Sequence, residues 1–153
     1  MIKRTKDYSL INSILTNPAI YETITQDGAS PASEYKTPED DAVYYLLVEE
    51  EGEPIGLYIV HRDSMVSHKV HANILTEYRP KYSNKSAQDL IEWVFSNTDI
   101  VKLNAEIPYK YQNVISFTEK AGFTIEGIRR HAYLKDGVVY DVALLGLMKG
   151  DWL

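Results

Sequence analysis

The 153-residue chain has no cysteine, no apolar run approaching 18 residues and no surplus of positive charge. Without cysteine there is no disulfide framework, no thiolate metal site and no thiol nucleophile, a usage that fits a cytoplasmic protein. Without a long apolar run there is no candidate membrane-spanning helix. The N-terminal Met1-Ile2-Lys3-Arg4-Thr5-Lys6-Asp7 carries charge with no hydrophobic segment behind it, so the chain is expected to be soluble and unexported. A net charge of −6 and a pI of about 5.2 exclude a general grip on nucleic acid through phosphate neutralisation, leaving open only a local basic patch. Repeats and low-complexity tracts are also missing. What is present is a 44% hydrophobic composition, enough for one domain spanning residues 1–153 and too short a chain for two.

The hydrophobic periodicity predicts alternating strand-rich and helical segments. A short segment at 2–6 is followed by a helix that Ser9 caps, carrying Leu10, Ile11, Ile14 and Leu15 and interrupted at Asn17-Pro18. A second short helix covers 19–25. Residues 27–41, with Gly28, Pro31 and Pro38, lack periodicity and form a surface loop, either bordering a substrate or simply solvated. Strands follow at 43–48, 54–60 and 65–75, joined by turns at 50–53 and 62–64 into an antiparallel meander. Then come a helix at 83–96, a strand at 101–107, a helix at 112–121 and strands at 123–134 and 138–147 around the turn Lys135-Asp136-Gly137. Leu90, Ile91, Trp93, Val94 and Phe95 supply the apolar face of the third helix, and Val114, Ile115 and Phe117 that of the fourth.

The run Glu119-Lys120-Ala121-Gly122-Phe123 has a definite physical meaning. Gly122 stands where a helix ends in a residue of positive φ, Lys120 puts a cation in the last turn, and Phe123 begins a buried strand. With Glu126-Gly127, Asp141 and Asp151-Trp152, this string resembles the C-terminal half of the GNAT superfamily of acyl-CoA-dependent N-acyltransferases, especially the branch that acetylates ribosomal-protein N-termini. The element order β-α-α-β-β-β-α-β-α-β-β is that of the GNAT fold. The resemblance implies an α/β (α+β) protein: a mixed central sheet of about seven strands, with a splayed central pair and flanking helices. The segments "HANILTEYR", "IEWVFSNT" and "EKAGFTIEG" further resemble GNAT-like proteins of tailed bacteriophages. Some of those accompany virion morphogenesis genes, which implies a bacterial host and a phage structural protein as partner.

The resemblance also implies a cofactor, acetyl-CoA or CoA. The strand holding His71, Ile74 and Leu75 is expected to diverge from the strand beginning near Val101, leaving backbone groups for the pantetheine arm. At the mouth lies the turn that in the family follows Arg/Gln-x-x-Gly-x-Gly/Ala and offers backbone N–H groups to the pyrophosphate. Here Arg79 matches, while Tyr82 and Asn84 stand in place of the small residues and Pro80 removes a donor. Arg79, Lys81 and Lys85 supply charge, and Ser83, Asn84 and Ser86 hydrogen-bonding groups. The alternative is a solvated basic turn with Ser83 as helix N-cap.

For catalysis the family uses an Asn and a Tyr acid upstream of the "GF" pair; counting back from Phe123 gives Tyr111 and Thr118, with Asn113 two places late. Tyr111 is then the candidate acid, or a packing residue with a wet hydroxyl. For a base the strands offer His61, His68, His71 and the acidic Glu49, Glu50 and Glu51; His71 is the candidate, or a half-buried structural histidine. His68 and His71 face opposite sides of one strand and cannot share a metal, so no metal site is implied. Asp141 either orients substrate or bonds across its hairpin, and Arg129-Arg130-His131 either pairs with it or binds an acidic partner. The acidic stretches Glu39-Asp40-Asp41 and Glu49-Glu50-Glu51 suit a cationic acceptor such as an amino terminus or polyamine. Two functions stand: an N-acetyltransferase in which an amine attacks the thioester while strand N–H groups stabilise the oxyanion, and a non-catalytic GNAT-fold binding or assembly protein.

Overall fold

The computed structural model describes residues 1–152. Its elements are β1 (Ile2–Arg4), α1 (Tyr8–Leu15), α2 (Pro18–Ile24), β2 (Tyr44–Glu50), β3 (Glu53–Arg62), β4 (Ser67–Ile74), α3 (Arg79–Asn97), β5 (Lys102–Pro108), α4 (Gln112–Lys120), β6 (Thr124–Lys135), β7 (Val138–Met148) and α5 (Lys149–Trp152). The cap of α1 is Asp7 rather than Ser9: the Asp7 carboxylate accepts from Leu10 N–H at 3.1 Å, and Ser9 lies inside the helix. An ionised acceptor at this position also complements the helix dipole. Pro18 opens α2 because its fixed φ suits the first helical turn and its missing N–H would be unpaired there anyway. The same argument moves the start of α3 to Arg79, four residues before Ser83. Pro80 belongs to its first turn, and Ser83 is not its cap. The loop after α2 includes a turn of 3-10 helix, Ala32–Glu34, and buries Thr37, whose N–H and hydroxyl both bond Asn12 Oδ1.

The seven strands form one mixed sheet in the order β1-β2-β3-β4-β5-β7-β6, antiparallel throughout except for β4 beside β5. Helix α3 covers one face with Leu90, Ile91, Val94 and Phe95, which join Leu46, Val48, Tyr58, Val60, Leu103 and Ala105 in the main core. Full burial of each such aliphatic or aromatic side chain is worth about 1.5–3 kcal/mol. Helices α1 and α2 cover part of the other face, where Ile11, Ile14, Leu15 and Ile20 meet Tyr45, Leu47 and Leu57. In α4 only Ile115 is fully buried; Val114, expected in the core, lies off the apolar stripe and is exposed. That helix stops as its sequence dictates. Gly122 has φ +117°, its N–H bonds Glu119 O, and Phe123 N–H bonds Thr118 O, the paired bonds of a Schellman motif that delivers Phe123 into the core.

The strand pairing that positions the site is incomplete. β4 pairs with β3 along seven residues, Gly56↔Ile74 to Arg62↔His68, and β5 pairs with β7 along seven, Lys102↔Met148 to Pro108↔Val142. Between β4 and β5 the pairing covers only Ser67↔Lys102, His68↔Leu103 and Lys69↔Asn104. Beyond Lys69 the two strands part, as the sequence resemblance implied. Gly56 shapes the departing end of β4: a Cβ there would meet Ile74 Cδ1 at 2.6 Å and Asn73 O at 2.8 Å. Its bare backbone lets β4 lean onto β3. A substituent at that point has backbone on one side and core on the other, so no rotamer change relieves it.

Candidate active site

Where β4 leaves β5, His71 and Ala72 become exposed, whereas Asn73 and Ile74 stay buried beneath the helices. Side chains alternate along β4, so His68, Val70 and Ile74 face α3 while Lys69, His71 and Asn73 face the α1 and α2 side. His68 is 3% exposed, packs against Tyr44 and leaves its Nδ1 unpaired among the described residues. Burial, followed by Arg62, lowers its pKa. It belongs to the core.

His71 has a partner that the sequence reading did not foresee. In the β3–β4 ladder His61 sits diagonally across from it, the rings stack with centroids 5.2 Å apart, and their Nε2 atoms lie at 3.1 Å. One of these nitrogens must carry the proton and the other accept it. His61 Nδ1 lies 3.3 Å from the Arg62 carbonyl, which can only accept, so in a neutral His61 the Nε2 is the acceptor and His71 Nε2–H donates to it. That leaves a lone pair on His71 Nδ1. Loss of solvation, then His61 and Lys69, push the His71 pKa down to about 4, while Glu106 opposes the shift. The pair therefore remains uncharged at His71 through neutral pH.

Beside this pair is a cavity of about 280 Å³ bounded by Leu15, Ile24, Tyr35, Tyr45 and Ile59, with His61, His71 and Asn73 as its polar wall. The loop read as solvated or substrate-bordering supplies Tyr35 and Pro38 to it. No carboxylate is among the lining residues. Within the acidic stretches, Glu49 pairs with Lys3, Glu50 with Lys85 and the N-terminal amine, and Asp41 with Lys6, all away from this cavity. Glu106 projects from β5 and is held by Lys69 at 3.2 Å and Arg129 at 3.1 Å. Its burial works to raise its pKa, but these two cations outweigh it and keep the carboxylate below its usual value.

A clamp ties the end of α2 to the β6–β7 hairpin. Asp27 accepts from the N–H groups of Asp136 and Gly137, Gln26 Oε1 accepts from Leu134 N–H, and Lys135 donates to the carbonyls of Glu22 and Thr25 at 2.6 and 2.8 Å. The bonds from Gly137 and Asp136 lower the Asp27 pKa. Tyr133 donates to Thr25 O at 3.2 Å, so its oxygen receives the Tyr111 hydroxyl at 3.3 Å. Burial raises the Tyr133 pKa. The Tyr111 proton is thus directed along a chain of hydroxyls toward Thr25. Asn113 is exposed on the first turn of α4, and the Thr118 hydroxyl bonds back to Val114 O. Asp141 takes the simpler of its two readings, accepting from His131 N–H across the hairpin at 2.8 Å.

At the mouth, Leu75 N–H bonds Ile55 O, and Arg79 Nε donates to Ile74 O at 2.9 Å, tying the helix start to the end of β4. Tyr78 and Arg79 N–H groups are already bonded to Leu75 O and Thr76 O, and Pro80 has none. The N-cap Tyr78 and the first two helix positions therefore offer no free backbone donor. Lys81 is exposed over the Tyr82 ring at 5.2 Å, with Ser83 half-buried and Asn84 exposed beyond it. The structure does not bring the remaining two together with these. Lys85 turns to Glu50 and Asp89, at 2.9 and 3.0 Å, which raise its pKa. Ser86 is 2% exposed and bonds Tyr58 and Ser83 O inside the core. Burial pushes the Tyr58 phenol up to about 12 despite that bond.

A sequence profile of the acetyltransferase (GNAT) domain matches residues 3–144. The chain belongs to the GNAT acetyltransferase family. As a fold, this GNAT chain is similar to spermidine N-acetyltransferase from Vibrio cholerae in complex with CoA and spermine. The TM-score is 0.83 at 16% identity, covering 99% of this chain and 96% of that one. It is likewise similar to an acetyltransferase of the GNAT family from Streptococcus pneumoniae, with TM-score 0.77 and 19% identity over 97% and 98% of the two chains. Comparison with curated protein sequences gives no match. No helix among the described residues is long and apolar enough to cross a membrane.

Asn73 was missed from sequence, and His61, counted there among the candidate bases, was not paired with His71. The signal for Asn73 was the period of two from His71, which places both on one face. For His61 it was the hairpin register, which requires knowing the true length of the 62–66 turn.

Proposed function

We propose that the chain is an acyl-CoA-dependent N-acetyltransferase acting on a primary amine. The observation that carries this is the parting of β4 and β5 after Lys69 beside the His71 cavity. The backbone edges of β4 beyond Lys69 and of β5 beyond Asn104 face one another without sheet bonds, which suits an extended pantetheine arm inserted like a strand. Ile74 and Leu75 stand at the end of that edge, with Arg79 fixing it. The pyrophosphate end fits through side chains rather than a backbone cradle: Lys81, Ser83 and Asn84 supply charge and hydrogen bonds, with Asn113 across the cleft on α4. When bound, acetyl-CoA supplies the acyl group: the amine lone pair attacks the thioester carbonyl, the C–N bond forms, the C–S bond breaks, and the amine proton is balanced by the proton the thiol gains.

The chain's own groups act on the amine. A neutral His71 with a free Nδ1 lone pair accepts from an uncharged amine and orients its nitrogen, and the apolar cavity disfavours the ammonium form. His61 fixes the ring through the 3.1 Å contact. Tyr111, the candidate acid, holds its proton toward Tyr133.

Thioester consumption measured between pH 5 and 9 tests this reading. The rate is expected to climb with pH toward the pKa of the amine, without an inflection near 6.5, because His71 is already deprotonated. A rate governed by a group titrating near 6.5 contradicts the role given to His71. Stability carries the matching sign. The unfolded chain takes up a proton at His71 between about pH 6.5 and 4 that the native chain does not, so this contribution to stability falls as pH drops through that window.

A second reading, a non-catalytic member of the fold with a binding or virion-assembly role, is favoured by the helix start at Arg79 and the bulk of Tyr82 in the family's phosphate turn. It predicts no thioester consumption at any pH.

A further inference from the structure

The two faces of the β6–β7 hairpin are used differently. Strand register places Arg129, Tyr133 and Lys135 on one face, where Arg129 reaches Glu106, Tyr133 reaches Thr25 and Lys135 holds α2. Ile125, Ile128 and Leu134 of β6 and Val139 of β7 share the other face with Ala143 and Leu145, whose side chains enter the main core. Yet Ile125, Ile128, Leu134 and Val139 are 38, 53, 40 and 52% exposed: α4, which packs on this side of the sheet through Ile115, leaves them bare. Four large apolar side chains on one face of one hairpin make a patch of the kind that marks an interaction surface.

Two details select its occupant. β6 is an edge strand, but its edge is broken twice: Glu126 is an extra residue between the pairs Ile125↔Leu145 and Gly127↔Leu144, and residues 130–132 stand against Asp141 alone. Such bulges end regular pairing, so a neighbour packs on the face rather than extending the sheet. The patch is also self-complementary. Ile125 and Ile128 lie at one end, Leu134 and Val139 at the other, and between them the bulge sets Arg130 and His131 beside Asp141. Asp141 Oδ1 accepts from His131 N–H, while the Arg130 and His131 side chains are exposed and form no hydrogen bond or ion pair among the described residues.

We infer that this face is the contact surface of a two-fold dimer with a second copy of the chain. A two-fold axis through the bulge lays one hairpin antiparallel to the other. Ile125 and Ile128 of each copy then meet Leu134 and Val139 of the other, and the Asp141 carboxylate of each meets Arg130 of the other, so that every contact is made twice. The apolar ends supply the attraction, and the central charge pairs fix the register. Along β7 the face runs only about 20 Å at the usual strand rise. That is less than a standard interface of about 800 Å² per partner requires, so dissociation in the micromolar range is expected.

Sedimentation equilibrium of the whole chain across the micromolar range tests this, and a reversible monomer–dimer equilibrium is the expected result. Ile128→Asp, which places a charge in each apolar contact, is expected to raise Kd at least tenfold, and Arg130→Glu, which sets like charges together near the axis, is expected to do the same. Val138→Asp is the control. Val138 is 47% exposed but faces the other side of the hairpin, so its variant should match wild type. A chain that stays monomeric throughout, a dimer indifferent to Ile128→Asp, or one disrupted equally by Val138→Asp overturns the inference. The wild type alone gives a second reading that no misfolded variant can confuse. On dilution the methyl NMR resonances of Ile128, Leu134 and Val139 are expected to move while those of Val138 stay, and no movement at the first three overturns the inference as well.

Discussion

Replacing His71 with alanine is expected to lower kcat/KM for thioester consumption on the order of 10²-fold, the range lost when a positioned proton acceptor is removed. The effect arises at the cleft alone. His71 as a residue is exposed where β4 leaves β5, and its ring stacks on His61 at the cavity wall, so unfolding free energy should change by less than about 1 kcal/mol. His71→Gln keeps an acceptor on a longer stem and should recover part of the loss. Parallel rate measurements on the two variants, with chemical denaturation of each, separate a role in the reaction from one in folding. A His71→Ala protein as active as wild type removes His71 from the mechanism.

The largest expected effect on stability comes from Lys135. Its side chain is 7% exposed, and its ammonium serves the carbonyls of Glu22 and Thr25 at the end of α2, where the helix dipole favours a cation. Hydrogen bonds from a charged donor contribute about 1.5–3 kcal/mol each before the cost of burying the charge is deducted. Lys135→Met preserves the apolar stem but removes both bonds, leaving Glu22 O without the ammonium and Thr25 O with the Tyr133 hydroxyl alone, so a loss of about 2–4 kcal/mol is expected, or roughly 5–15 °C in Tm for a chain of this size. The local consequence is specific. The end of α2 that Lys135 holds carries Ile24 into the cavity wall, so KM for the amine should rise while affinity for acetyl-CoA stays unchanged. A loss below about 0.5 kcal/mol in thermal and denaturant unfolding contradicts the clamp.

The features legible in the sequence were those set locally. Gly122 and Lys120 announced the end of α4, Asp136-Gly137 the last hairpin, and the alternation of apolar residues the seven strands. The parting of β4 from β5 was legible through the family resemblance, although nothing in the strand residues themselves announces it. What stayed hidden depends on neighbours far along the chain or on the competition between two local signals. Pro80 and Ser83 both mark helix starts, and the earlier one won because a short 3-10 turn, Thr76–Tyr78, feeds directly into the helix. Lys85 and Ser86, read as phosphate ligands, follow from that change: the helix rotates one toward Glu50 and the other into the core. The pairing of His61 with His71 follows from strand register, and the hold of Lys135 on α2 joins residues 110 and more positions apart. No local pattern encodes either.

The central claim is that the gap between β4 and β5 receives an acyl-CoA. Calorimetric titration of the whole chain with acetyl-CoA and with CoA tests it most directly. A saturable isotherm of one ligand per chain in the micromolar range is predicted, weakened by Lys81→Ala because the phosphates rest on side-chain charge where the backbone donors are already used. No binding of either ligand up to millimolar concentration contradicts the claim and leaves the fold with a non-catalytic role.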